Sequence, residues 1–356
     1  MVGFLLLLLL LLPAQQGAVA TPSIEPDEAL WERILETSAL PAPPASQPYE
    51  TQVADIRERR TRLLELARSY RALHPGGRRR DDVIRIELQA LFDLGALDRG
   101  DFTALCREVD DLLRRPPSED ALHEAAYWAI TCRRLSQADR RRPAFATLAA
   151  ADARLIEEHR EYIRRYPSSR HVPRLALIVG EAAHQKGDDA LIGELAAACR
   201  RHHAGHATTR WLDGLMRRRA ALGEPFDAEL TLLDGSAQRL SSWRGTPGLV
   251  VVWSAPESES EQRVREVAEF ARLNTELRVI GVNLDDSAEQ CRAAAARMEI
   301  NWPQHVEPLG PGGPFAQHWG IRRAPVVFVI DRSGRLVAVS EGGEWREAVR
   351  SALEAR

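Results

Sequence analysis

The residues best placed to do chemistry sit in one stretch, Pro256-Glu257-Ser258-Glu259-Ser260, between an apolar run ending at Trp253 and a helical pattern. A helix start offers unpaired N–H groups and the positive end of the helix dipole, and carboxylates gain from both. Glu257 and Glu259 can use that field, and Ser254-x-x-Glu257 and Ser258-x-x-Glu261 both read as capping boxes. Two carboxylates can also divide acid and base roles. Here they are two apart at a helix start, so their side chains diverge and the spacing speaks against such a pair.

Sulfur and imidazole have fewer candidates. The cysteines are Cys106, Cys132, Cys199 and Cys291, and none stands in a Cys-x-x-Cys. Cys106 and Cys132 fall on consecutive predicted helices, but the turn near Pro116 offsets them by about one turn, which argues against a bridge. All four sit among alanines, leucines or valines in helical segments and are expected to be small buried thiols. Cys291 lies mid-helix in Gln290-Cys291-Arg292-Ala293 and reads as a packing residue. In His202-His203-x-x-His206 the imidazoles could share a helix face, as a metal site needs. No acidic or cysteine partner falls at ligand spacing, so a surface turn is expected there, with no metal and no cofactor.

These residues depend on elements that the rest of the chain must supply. Its 356 residues, 44% hydrophobic and 28% charged, are enough for two domains with a core in each. The net charge is -3, and the arginine runs 78–80, 140–142 and 217–219 have acidic neighbours and no aromatic pattern, so nucleic acid is not an expected partner. Residues 4–12 are an unbroken apolar run too short to span a bilayer, followed by Pro13 and by Ala18-Val19-Ala20. That pattern predicts a signal peptide over 1–20 and a periplasmic or secreted protein, with membrane attachment only if the signal stays uncleaved.

Residues 21–50 hold a short predicted helix and a proline-rich linker. From 51 to 222 apolar residues recur at three- and four-residue spacing, with breaks at His74-Pro75-Gly76, Pro116-Pro117-Ser118, Tyr166-Pro167-Ser168 and His203-Ala204-Gly205. Gly100-Asp101 and Gly187-Asp188 mark tight turns within helix pairs. The segment 166–212 resembles a tetratricopeptide unit, and 74–128 is a looser copy. From 223 to 356 the pattern becomes β-α-β-α followed by a β-hairpin and a helix, with strands over 249–253, 278–283, 326–330 and 336–340. The expected architecture is therefore an all-α, helical-hairpin N-terminal domain followed by an α/β C-terminal domain.

Four motifs in the C-terminal part stand in a telling order. Gly223-Glu-Pro-Phe226 precedes Leu233-Asp-Gly235, and Leu240-Ser-Ser-Trp-Arg-Gly245 leads into Val250-Val-Val-Trp253. Gly320-Ile-Arg-Arg-Ala-Pro325 then precedes a strand, Asp331 and Gly334. This order resembles the thioredoxin-like superfamily, and within it the TlpA/ResA-type and AhpC/TSA-type redoxins. The resemblance implies a cis peptide bond between Ala324 and Pro325, beside the start of the active-site helix, where an extended peptide can hydrogen-bond. It also implies a Cys-x-x-Cys at the helix start. Aligned on Trp253, the two positions hold Glu257 and Ser260; in the peroxiredoxin register, which Pro256 and Ser260 fit, the nucleophile position holds Arg263.

A carboxylate cannot attack a disulfide and a serine cannot resolve a mixed one, so no catalytic residue is expected there. The sequence points to a redox-inactive module that binds a protein or peptide through Trp253, Pro256, Glu257, Ala324 and Pro325. The alternative from resemblance is a periplasmic thiol–disulfide oxidoreductase of the TlpA type, which fold by itself does not establish.

Overall fold

The computed structural model describes residues 26–137, 153–285 and 287–354. The signal peptide expected over 1–20 and Arg140-Arg141-Arg142 lie outside them. The chain forms two compact units that divide between residues 144 and 145. Among the described residues, every regular element before Glu229 is a helix.

In the first unit α1 (Asp27–Ala39), α2 (Tyr49–Leu73), α3 (Arg80–Leu97), α4 (Thr103–Arg114) and α5 (Glu119–Gln137) each pack on the next. Their apolar stripes have helical spacing. Leu63, Leu66, Ala67 and Tyr70 of α2 meet Leu30, Trp31 and Ile34 of α1, with Val83 of α3 in the same cluster. A second cluster joins Ile84 and Leu88 of α3 to Leu105 and Val109 of α4 and to Ala125 and Trp128 of α5.

The second unit begins with α6 (Ala153–Arg165), α7 (Val172–Lys186), α8 (Asp189–His203) and α9 (Ala207–Ala220). The turn between α7 and α8 shows why glycine and aspartate stand together. Gly187 takes the left-handed conformation (φ 68°) that ends α7, and the Asp188 carboxylate accepts the Leu191 N–H at 3.0 Å to open α8.

The sheet follows. A small hairpin, β1 (Glu229–Thr231) and β2 (Ala237–Arg239), leads to β3 (Gly248–Trp253), α10 (Ser258–Leu273), β4 (Arg278–Asn283) and α11 (Ala288–Arg297). Then come β5 (Gln304–Val306), α12 (Pro314–His318), β6 (Val326–Ile330), β7 (Leu336–Ser340) and α13 (Trp345–Glu354). Strand order is β5-β4-β3-β6-β7, with β3, β4 and β5 parallel and β6 and β7 antiparallel to their neighbours. All six residues of β3 are buried, as a central strand covered on both faces requires. Val250 and Val252 face a core with Phe226, Trp243 and Phe328, whereas Leu249, Val251 and Trp253 face Val264, Val267 and Trp345. Each such aliphatic side chain contributes about 1.5–3 kcal/mol by leaving water.

The sheet's outer edges are partly occupied by the chain itself. On β7, Gly223 donates to the Leu336 carbonyl at 2.7 Å and Leu336 N–H to Glu224 at 3.0 Å, and an extra residue, Val337, bulges where the pairing shifts. On β5, Leu233 N–H donates to the Gln304 carbonyl at 2.9 Å.

Helix α9 is seated directly on the segment before β6. A Cβ on Gly214 would lie 2.2 Å from the Gly320 nitrogen, and Gly320 itself has φ +59°, so both positions need glycine. Arg218, buried at 6% exposure, reaches across from the next turn of α9. Its guanidinium donates to the Trp319 carbonyl, to the Gly320 carbonyl at 2.7 Å and to the Glu341 carboxylate at 2.7 Å. Burial pulls the pKa of Arg218 down, and the charge of Glu341 opposes that pull. Burial also pushes Glu341 up, but a hydrogen bond from His184 of α7 and the Arg218 charge outweigh it and hold the carboxyl at about 2.

Two outcomes are expected. Alanine favours a helix over glycine by roughly 1 kcal/mol, yet Gly214→Ala should lower stability by about 1–3 kcal/mol because the added methyl has no room. A denaturant midpoint that stays put or rises would show that the two backbones are not in contact. Glu341, depressed from its ordinary 4.5, supports the fold above that pH and loses its contribution as pH falls toward about 2. Over that window the native protein should lose more stability than Glu341→Gln does, and equal acid slopes in thermal melts would exclude the effect.

Candidate functional site

The site expected from sequence lies where β3 ends. Trp253 is fully buried, and its indole N–H donates to Gln304 Oε1 at 2.9 Å. Gly281 makes that reach possible, because a Cβ there would lie 1.9 Å from the same Gln304 oxygen. The chain then leaves the sheet over 254–257 and enters α10 with Glu257 at the N-cap position.

The capping boxes do not form. Glu257 makes no side-chain cap, and the Ser254 hydroxyl is turned away toward Asp285, to which it donates at 2.7 Å. Asp285 also accepts the Ala255 N–H at 3.0 and 3.2 Å and Asn283 Nδ2 at 2.9 Å. Only 6% of Asp285 is exposed. A carboxylate from the end of β4 thus ties down the loop that opens α10, because the serine found a partner far away in sequence instead of at its own helix start.

Ser260 is buried with no exposed surface, and its hydroxyl oxygen accepts the Ser254 N–H at 2.8 Å. The side chain that occupies the resolving-cysteine position of the resemblance therefore works as a loop clamp. Pro256, Glu257, Ser258 and Glu259 are all exposed. Arg263 donates to the Gly342 carbonyl and lies 3.4 Å from Glu266, which anchors α10 to the loop before α13.

The peptide bond between Ala324 and Pro325 is cis, as the resemblance implies. Val252 pairs with Val326, so Pro325 lies just beyond that pair, at the same end of the sheet as Trp253 and the start of α10. Both Ala324 and Pro325 are buried. The residues leading into them are held by helices. Arg322 stacks over Trp211 of α9 at 5.2 Å and pairs with Glu181 of α7, and Arg323 reaches the same carboxylate at 3.5 Å. With Arg218 on Trp319 and Gly320, the whole approach to the cis proline is fixed by α7 and α9.

Asp285 and Arg218 belong to no motif in the sequence. Asp285 sits just past the C-terminal end of a parallel strand, where ligand-binding groups of α/β sheets collect, and that position was its available signal. Arg218 stands in the arginine run 217–219, and nothing local distinguishes it from its neighbours.

The remaining candidates have structural partners. His203 bonds the Pro167 carbonyl at 3.1 Å, and His206 Nδ1 accepts the Thr208 N–H at 3.1 Å to cap α9. Among the described residues no group of three or more His, Cys, Asp or Glu side chains could hold a metal ion. Cys199 and Cys291 are buried, whereas Cys106 and Cys132 are only half-buried, which corrects the expectation of four buried thiols. Burial, then the charge of Asp285, push the Cys291 thiol up to about 12, so it is no source of thiolate near this site.

The family described as Redoxin matches residues 221–355. Among solved structures, the thioredoxin domain of a thiol-disulfide oxidoreductase from Bacteroides vulgatus is 19% identical, with a TM-score of 0.33 over 38% of this chain and 96% of that one. A thiol-disulfide oxidoreductase from Bacteroides fragilis is 19% identical, with a TM-score of 0.32 over 36% and 98%. A secreted disulfide oxidoreductase of Mycobacterium tuberculosis is 12% identical, with a TM-score of 0.31 over 35% and 94%. Among curated proteins none matches this chain. Residues 221–355 form a redoxin domain of thioredoxin-like fold, preceded by a helical-hairpin region.

Proposed function

We propose that this protein is a redox-inactive, thioredoxin-like binding module that engages a protein or peptide partner. The observation that carries this reading is the state of the α10 start: an exposed carboxylate, Glu257, at one position and a buried serine, Ser260, committed to the Ser254 N–H at the other. Disulfide exchange needs a thiolate that attacks and a second that resolves. Neither side chain can serve, and Cys291 is held as a buried thiol.

Recognition is the use left to the surface. Exposed Glu257 and Glu259 stand at the start of α10, and the backbone before cis-Pro325, with exposed Arg322 and Arg323, lies at the same end. An extended peptide with charges of both signs fits that combination. Docking there would leave the fold unchanged, because α7 and α9 already fix the approach to the proline. The apolar leader over 1–20 supports action outside the cytoplasm, in the periplasm or as a secreted protein.

The test is a turnover assay of disulfide reduction, with a regenerating reductant, on the protein beside a Glu257→Cys/Ser260→Cys variant. The protein should show no turnover above background and the variant should show multiple turnovers, since scaffold and cis proline are in place. Turnover by the unmodified protein would falsify redox inactivity.

A further inference from the structure

The carboxyl ends of β3, β4 and β5 lie together, and β6 begins at the same end because it runs antiparallel to β3. Glu257 follows β3 on this rim, and cis-Pro325 precedes β6. Asp285 follows β4, and β5 runs out into the loop 307–313, Glu-Pro-Leu-Gly-Pro-Gly-Gly. That loop carries Leu309, 70% exposed, flanked by exposed Pro308 and Pro311.

A single exposed leucine is ordinary on a protein surface. Leu309 differs in how firmly its backbone is held. The Glu307 N–H donates to the Asn283 carbonyl at 2.8 Å, Gly310 N–H to the Glu307 carbonyl at 3.0 Å and Gly312 N–H to the Leu309 carbonyl at 2.9 Å. The Glu307 carboxylate, 1% exposed, accepts the Phe315 and Ala316 N–H groups at 3.0 and 3.2 Å. Gly310 has φ +54°, and a Cβ there would lie 2.9 Å from the Leu284 carbonyl, so the loop rests on the segment that follows β4. A backbone already fixed has little freedom to lose when its apolar side chain is covered.

The rim changes chemistry from one side to the other. Exposed Arg322 and Arg323 precede the cis proline, exposed Glu257 and Glu259 stand at the start of α10, and the 308–311 surface is uncharged. Neighbouring strands lie about 4.8 Å apart, so the three steps from β6 through β3 and β4 to β5 come to about 14 Å, which about four residues of extended peptide span.

Resting on the reading of a peptide-binding module, we propose that the 308–311 surface, with Leu309 at its centre, is the subsite for an apolar side chain of the partner's extended segment. That side chain stands about four residues from the one held beside cis-Pro325. The charged groups set the charge pattern of the partner, and Leu309 selects an aliphatic or aromatic residue at one position of it.

The test selects binders from a random dodecapeptide library on the full chain and measures a recovered, fluorescently labelled peptide by polarisation. Each peptide residue is changed to alanine in turn and measured against the protein and against Leu309→Ala. One apolar peptide residue should weaken binding roughly tenfold or more when removed, as loss of a buried aliphatic side chain does. Leu309→Ala should cause a loss of similar size, the two losses should not add when combined, and Leu309→Met should recover most of the affinity. The melting temperature of Leu309→Ala should stay at that of the native chain, because the side chain is exposed. Full additivity, or an unchanged affinity in Leu309→Ala for a peptide that Glu257→Gln or Arg323→Gln releases, would overturn the subsite and leave the peptide-binding reading standing. Recovery of no peptide that depends on Glu257 or Arg323 would overturn both. Self-association in sedimentation that Leu309→Ala abolishes would make the leucine a contact between copies and overturn the proposal.

Discussion

The second unit is organised around a positive charge with almost no water near it. Arg218 leaves solvent on α9 and must find acceptors, and the Trp319 and Gly320 carbonyls and the Glu341 carboxylate supply them. A buried ion pair adds little net stability once desolvation is counted, but removing one partner strands the other at a cost of about 3–5 kcal/mol. Its structural effect is therefore to specify one arrangement. Gly214 and Gly320 could not sit backbone to backbone unless α9 docked at this depth, and Trp211 could not lie under Arg322. Helices α7 and α9 thereby become part of the wall that leads to the cis proline.

At the other side of that wall the negative charge has been rearranged. The family resemblance implies a sulfur at the start of α10, where the sequence holds Glu257. Here the buried anion is Asp285, one strand away, and it accepts the Ala255 N–H and the Ser254 hydroxyl that precede the helix. Glu257 remains exposed at the helix start itself. Two carboxylates mark the place, one tying down the loop and one facing water.

How much of this was legible in the chain depends on the range of each interaction. The strand 249–253 was readable because a short, valine-rich apolar run between turn signals suits a central strand covered on both faces. The cis bond at Pro325 followed from a motif order, and the turns at Gly100-Asp101 and Gly187-Asp188 from local chemistry. The Ser254 capping box failed because its hydroxyl bonds Asp285, 31 residues away, and the Ser258 box because Ser258 already lies inside the helix that Glu257 opens. Arg218 was hidden for the same reason, with acceptors about a hundred residues downstream and nothing nearby to announce them.

The sheet's edges bear on how any partner can arrive. An edge strand with free backbone groups is a template onto which a foreign strand can add, and it is also where copies of a protein stick together. Here β7 spends its first residue on the 223–224 segment and then bulges at Val337, while β5 is three residues long and receives Leu233. Among the described residues this sheet leaves no long flat edge for strand addition or for stacking into fibres. A chain expressed at high local density can therefore keep its sheet to itself, and a visitor has to read loops and side chains instead of extending the ladder.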